Sequence, residues 1–240
     1  MCPTNQTLEQ RFSNVIKRIR AACERSGRDP DHVRLLAVSK TRPAGQIQAL
    51  ARLGQRSFGE NYVDEAMAKI AELREQDLCW HFIGPVQSNK TRLLAEHFDW
   101  VESVDREKIA RRLADQRPEG KTALNVLIQV NLDGEAQKAG CAPDDIARLA
   151  DHIAARPELR LRGLMAIPAA RDDHDAQLAV FSRLRSLYDT LAGTHRSVDT
   201  MSAGMSGDLE AAVRARRTAA LRADATRNDW TRLAELLEAL

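Results

Sequence analysis

Between Thr7 and Ser26 apolar side chains recur at helical spacing, with Leu8, Phe12, Val15, Ile16, Ile19 and Ala22 on one stripe and Gly27 placed to end the helix. Beyond Gly27 the period changes. Short apolar runs bounded by polar or turn residues predict strands at Val33 to Lys40, Ser57 to Asn61, Trp80 to Gly84, Trp100 to Val104, Leu124 to Leu132, Leu161 to Ile167 and Val198 to Ser202. Longer stretches between them predict helices near Pro43 to Leu53, Val63 to Glu75, Asn89 to His97, Glu107 to Gln116, Pro143 to Ala155, Asp175 to Leu191 and Asp208 to Arg214. Such alternation calls for parallel strands joined by crossover helices. Seven β/α units are legible and no Gly-rich dinucleotide loop follows the first strand. The pattern therefore predicts an α/β fold, a (β/α)8 TIM-type barrel with an N-terminal helix, in which the eighth strand is the doubtful one.

Polar and small residues gather where these strands end, at Ser39-Lys40, Glu60-Asn61, Gly84-Pro85, Ser103-Asp105, Asn131 and Ser202. Barrel enzymes place their chemistry at those C-terminal ends. In LLAVSKTRP, strand alternation puts Leu36, Val38 and Lys40 on one face and Leu35, Ala37 and Ser39 on the other. A lysine ending an apolar stripe loses hydration, which favours the neutral amine that attacks an aldehyde. A lysine snorkelling its ammonium to the barrel rim has the same sequence. His81, inside an apolar strand, reads as a hydrogen-bonded structural histidine, and no second ligand at suitable spacing suggests a metal. After Gly84-Pro85 the run Gln87 to Lys90 opens a helix, either as an anion site or with Ser88 or Asn89 as a plain N-cap. In MSAGMSGDLEAAV a strand runs into Gly204, and Ser206 and Gly207 precede a helix from Asp208, an arrangement that suits a phosphate or is simply a Gly-containing loop.

A chain of 240 residues with 43% hydrophobic content supports one core, read as a single domain over 1–240 with an N-terminal helix over 1–27 and a divergent segment over 214–240. The 36 basic and 34 acidic residues nearly cancel, leaving +2, so no overall field points to nucleic acid or a membrane surface. Cys2, Cys23, Cys79 and Cys141 have no metal-ligand or disulfide spacing and read as free thiols. With no signal-peptide pattern and no window of about 18 apolar residues, a cytoplasmic, monomeric protein is expected.

The combination LLAVSKTRP, FGENYVDEA, WHFIGPVQSNK, SVDREKIARRL, QVNLDGEAQKAG, LRGLMAIP and MSAGMSGDLEAAV resembles the YggS/PROSC-type pyridoxal phosphate homeostasis proteins, which are related in fold to the N-terminal barrel of alanine racemase. The resemblance covers most of the chain to about Val213. It implies that pyridoxal 5′-phosphate (PLP) is the cofactor, held on Lys40 as a Schiff base, with Asn61 beside the ring and Ser202, Gly204, Met205 and Ser206 cradling the phosphate. Ala203 stands where the family usually has Met. Lys138 is matched by a family lysine and reads either as a secondary acceptor or as a solvated loop residue.

From Arg214 the resemblance fails. The family's eighth strand carries an Arg facing the pyridine nitrogen and a Gly-Thr pair at the phosphate. With Thr218 aligned, Leu221 falls at the Arg position, Arg222 comes one place late, and Ala223-Asp224 replace Gly-Thr. A one-residue slip turns a strand side chain to the opposite face. The stretch Arg214 to Asp229 is open to three readings: a diverged tail, a helical replacement for the strand, or a changed reading frame. Trp230 to Leu240 then reads as an amphipathic helix, with Leu233, Leu236, Leu237 and Leu240 on one face. The expectation is that the Ser202 to Ser206 loop holds the phosphate with little help from Asp224, while Arg222 reaches the ring nitrogen.

The function implied is a non-catalytic PLP carrier that buffers the cofactor and delivers it to client PLP-dependent enzymes. The alternatives are an amino-acid racemase or decarboxylase, or a degenerate barrel that has lost PLP. Related racemases take a Tyr from a separate β-domain, and this chain has only Tyr62 and Tyr188 and no length left for one.

Overall fold

The computed structural model describes residues 6–135, 138–215 and, as backbone alone, 230–236. Helix α1 (Leu8–Ser26) starts from Thr7, whose hydroxyl accepts from the Gln10 N–H while the Gln10 side chain accepts from the Thr7 N–H. That reciprocal pair satisfies two amides the helix start leaves open. Gly27, at φ 57°, ends the helix in the left-handed region.

Strands and helices then alternate: β1 (Val33–Val38), α2 (Ala44–Arg52), β2 (Ser57–Glu60), α3 (Val63–Glu72), β3 (Cys79–Phe82), α4 (Thr91–His97), β4 (Trp100–Val104) and α5 (Glu107–Asp115). The order continues through β5 (Leu124–Gln129), α6 (Ile146–Ala154), β6 (Leu159–Met165), α7 (His174–Thr194), β7 (Thr200–Ser202) and α8 (Leu209–Arg214). Neighbouring strands from β1 to β7 pair in parallel and in sequence order, forming a curled sheet with helices outside. Each strand divides its side chains between two cores. Leu35 and Ala37 of β1 join the outer core with Ile47, Leu50 and Phe58, whereas Leu36 meets Gly59 and Ile83 inside the barrel.

The barrel interior is packed rather than hollow. Trp100, Leu127 and Met165 cluster there, His81 stacks on Trp100 at 5.3 Å, and the Arg162 guanidinium lies 4.6 Å above the same ring. Arg162 is in turn paired with Asp199 at 2.6 Å, so its charge is compensated.

An extended stretch, β8 (Trp230–Leu236), runs parallel to β1, with Val33 opposite Thr231 and Val38 opposite Leu236, and to β7, with Thr200 opposite Trp230, closing the ring. The amphipathic helix predicted from Trp230 is therefore wrong over residues 230–236. The edges of β1 and β7 present unpaired N–H and C=O groups, and pairing them outweighs the helical spacing of a few leucines. Thr218, Leu221, Arg222, Ala223 and Asp224 lie outside the described residues, as do Leu237, Leu240 and Cys2. Among the described residues no helix is long and apolar enough to cross a membrane, and Cys23, Cys79 and Cys141 are free thiols.

Candidate functional site

The last turn of β1 sets up the site. The strand ladder ends at Val38, and Ser39 to Arg42 form a turn closed by the Arg42 N–H donating to the Ser39 carbonyl at 3.1 Å. Lys40 projects from this turn, half-buried, into a cavity at the C-terminal mouth of the barrel. Among the described residues nothing hydrogen-bonds or ion-pairs with its ammonium. Thr41, next in the chain, adopts φ 62°, a left-handed conformation that is costly for a β-branched residue.

Asn61 lines the same cavity from the end of β2. Its Oδ1 is buried and has no hydrogen-bond partner among the described residues. Buried amide oxygens are rarely left so, because the lost hydration is uncompensated. Gly84 is what allows Asn61 to sit there: a Cβ at residue 84 would overlap the Asn61 carbonyl oxygen.

The walls are apolar, from Val38, Ile83 and the run Met165 to Pro168. The remaining rim is Ser202 to Met205 with Asp208. Gly204 takes φ 92°, and the N–H groups of Gly204 and Ser206 donate to no described residue. The Met205 N–H instead donates to the Asp208 carboxylate at 2.5 Å. Burial holds the Asp208 carboxyl above the usual aspartate range, against the opposing effect of that hydrogen bond.

Of the residues singled out in the sequence, Lys40, Asn61, Ser202, Gly204 and Met205 meet at one cavity. Ser206 is not among the lining residues; its carbonyl accepts from Arg18 Nη2 at 2.9 Å, which ties the loop to α1. The Ser202 hydroxyl points into the barrel and donates to Glu102 Oε2 at 2.6 Å. Glu102 also meets His81 Nδ1 at 2.8 Å, and His81 Nε2 lies 3.2 Å from Cys79 Sγ. His81 is thus the buried, hydrogen-bonded histidine expected. Among the described residues no group of three or more metal-binding side chains occurs.

Two local readings need correction. The helix α4 begins at Thr91, not in the Gln87 to Lys90 run, with Lys90 at its cap position, so neither Ser88 nor Asn89 caps it. The Ser88 carbonyl instead accepts from the Thr91 hydroxyl at 2.9 Å and from Arg112 Nε at 2.9 Å, which holds these residues in turns. Lys138 is not a freely solvated lysine either: it pairs with Asp133 at 2.9 Å and Glu135 at 3.0 Å.

Sequence reasoning missed Glu102, Ile83, Asp208 and the Met165 to Pro168 wall as lining groups. For Ile83 and Met165 to Pro168 the strand-end position was the available signal, whereas Glu102 lies within β4 and Asp208 takes the N-cap position of α8. Which strand residue faces inward, however, is set by barrel stagger, which alternation within one strand does not give.

The family described as "Alanine racemase, N-terminal domain" matches residues 11–228. A protein of Pseudomonas aeruginosa named "Pyridoxal phosphate homeostasis protein" is 55% identical over 207 residues, 86% of this chain and 89% of that one. The protein of the same name from Escherichia coli K12 is 48% identical over 210 residues, 86% of this chain and 90% of its own. This chain belongs to that family. Among solved structures, PipY of Synechococcus elongatus with PLP bound superposes with a TM-score of 0.75 at 32% identity, covering 93% of this chain and 99% of PipY. PipY and this chain thus share the parallel α/β frame that brings Lys40 and Asn61 to one mouth here.

Proposed function

We propose that the cavity binds PLP with Lys40 as covalent anchor, and that the chain serves PLP homeostasis by holding the cofactor and releasing it to client enzymes. One observation carries this reading: a lysine amine and an Asn61 oxygen, neither with a partner among the described residues, open into one apolar-walled cavity. The names and the PLP-bound PipY structure among its relatives support the choice of ligand.

When bound, the cofactor would supply an aldehyde reactive toward an amine, and a phosphate that must be held separately. Lys40 offers the amine. The side chains of Val38, Ile83 and Met165 give it an apolar surround, and Asn61 Oδ1 is placed to accept a hydrogen bond from a donor in the cavity. On this rim the Gly204 N–H, which has no acceptor among the described residues, is the backbone donor offered to an anion, with the Ser206 N–H following beyond the lining. Asp208 lines the same rim, its carboxyl held above the usual aspartate range by burial and its oxygen engaged by the Met205 N–H. Arg222 remains our candidate for the ring nitrogen, with Asp224 contributing little.

Titration with PLP followed by visible absorbance tests the assignment. Lys40→Ala should abolish the Schiff-base band, and Asn61→Ala should weaken binding about tenfold, the loss of one buried hydrogen bond. A Lys40→Ala protein with the band at full amplitude would overturn the anchor.

A further inference from the structure

We propose that Lys69, together with Glu65 and Glu60, forms a clamp that fixes the direction of Lys40; the inference rests on Lys40 being the cofactor anchor. The Lys69 ammonium has three donors, and each is used: to the Ser39 carbonyl at 2.6 Å, to Glu60 Oε1 at 2.7 Å and to Glu65 Oε1 at 2.5 Å. The Ser39 hydroxyl also donates to Glu60 Oε1 at 2.5 Å, and the Thr41 N–H donates to Glu65 Oε1 at 2.6 Å. The Ser39 carbonyl belongs to the peptide before Lys40 and the Thr41 N–H to the peptide after it. One cluster therefore holds both peptide groups that flank the lysine. With both fixed, the Lys40 Cα–Cβ bond has a single direction, toward the cavity.

The arrangement is costly to build, which argues against incidental packing. Lys69 and Glu60 have side chains 7% and 0% exposed, and taking both charges out of water is repaid only by good geometry. An apolar pair of similar volume between β1, β2 and α3 would pack as well at no such cost. Thr41 is held at φ 62°, and the short bond from its N–H to Glu65 opposes relaxation of that turn. None of the three side chains lines the cavity, so all act through Lys40 as positioning residues rather than catalytic ones.

The test uses the full chain and three variants. Glu65 is 30% exposed, so Glu65→Ala removes two hydrogen bonds with little burden on folding, and Glu65→Gln keeps an oxygen acceptor. Lys69→Met removes the centre of the clamp. Three quantities are measured: hydrogen exchange of the Thr41 amide in cofactor-free protein, the rate of borohydride-trapped PLP labelling of Lys40, and affinity for pyridoxine 5′-phosphate, which has no aldehyde. In Glu65→Ala and Lys69→Met we expect labelling slower, and Thr41 exchange faster, by about tenfold each. Analogue affinity should be unchanged, and Glu65→Gln should behave as the parent. Should Lys69→Met fail to fold, Glu65→Ala carries the test alone. Wild-type labelling and exchange in Glu65→Ala would overturn the clamp, as would a parallel loss of analogue affinity, which would mean general damage to the cavity. Labelling of the parent at a lysine other than Lys40 would sink the anchor assignment instead, and the exchange measurement would still decide whether the cluster pins the turn.

Discussion

Lys40 and Asn61 owe their positions to groups that stand behind them. For Asn61 the decisive neighbour is Gly84, which leaves the space its carbonyl occupies. Gly84→Ala should therefore cost about 1–3 kcal/mol in thermal or denaturant unfolding, the usual range for overpacking, and weaken PLP binding with it. An alanine variant with parental stability and affinity would show that the Gly84 contact does not set the site. The facing of the lysine was legible from the sequence because strand geometry puts Leu36, Val38 and Lys40 on one side, while its role was legible only through the resemblance of LLAVSKTRP, since β1 is buried on both faces. The partners of Lys69 were not: an ion cluster assembled from Glu60, Glu65 and Ser39 depends on how α3 packs over β1 and β2, and no spacing within one element encodes that.

At the scale of elements, the loops after β5 and β6 are joined by one carboxylate. Asp133 accepts from Arg171 at 2.5 Å, from Lys138 at 2.9 Å and from the Ala169 N–H at 2.8 Å, just beyond the cavity wall at Pro168. Those hydrogen bonds hold its carboxyl well below the usual aspartate range. A depressed acid contributes stability that is present above the unfolded value, 3.8, and is lost as pH falls through the folded one. Asp133→Asn should thus destabilise the fold at neutral pH, by about 1–2 kcal/mol, with the gap to the parent narrowing as pH falls below 4. Melting curves across that pH range check it, and a gap independent of pH would contradict the charge-assisted clamp. The same scale shows where sequence reading succeeded and where it did not. Strand β4 was placed residue for residue, because the β-branched and aromatic residues Trp100, Val101 and Val104 lie between Asp99 and Asp105, which mark both ends. Strand ends at Lys40 and Asn61 were drawn one or two residues long, since both side chains project past the last ladder pair. The stretch from Trp230 failed for a different reason: a seven-residue segment fits two periods, and the open edges of β1 and β7 choose the extended one.

The molecule presents a packed barrel interior and, at the C-terminal ends of its strands, a mouth lined by Lys40, Asn61 and the β7 loop. Ligand that binds the folded state alone raises its stability, by about 2.7 kcal/mol at one hundred times Kd. PLP should therefore raise the melting temperature of the parent and do so less for Lys40→Ala; equal shifts would separate stabilisation from the anchor. The carrier reading also predicts that no amino acid is racemised or decarboxylated at an enzyme's rate. Of the two tyrosines, Tyr188 is buried on α7 beneath the Arg185 guanidinium, and Tyr62 is exposed to solvent. Turnover of any one amino acid at several per second, lost in Lys40→Ala, would overturn that reading.

The central claim, that Lys40 is the covalent anchor, is tested most directly by reducing the PLP-loaded protein with borohydride, digesting it and mapping the labelled peptide by mass spectrometry. The account predicts a single stoichiometric label on the peptide carrying Lys40, absent from Lys40→Ala. A label placed on another lysine, or undiminished in that variant, would contradict it.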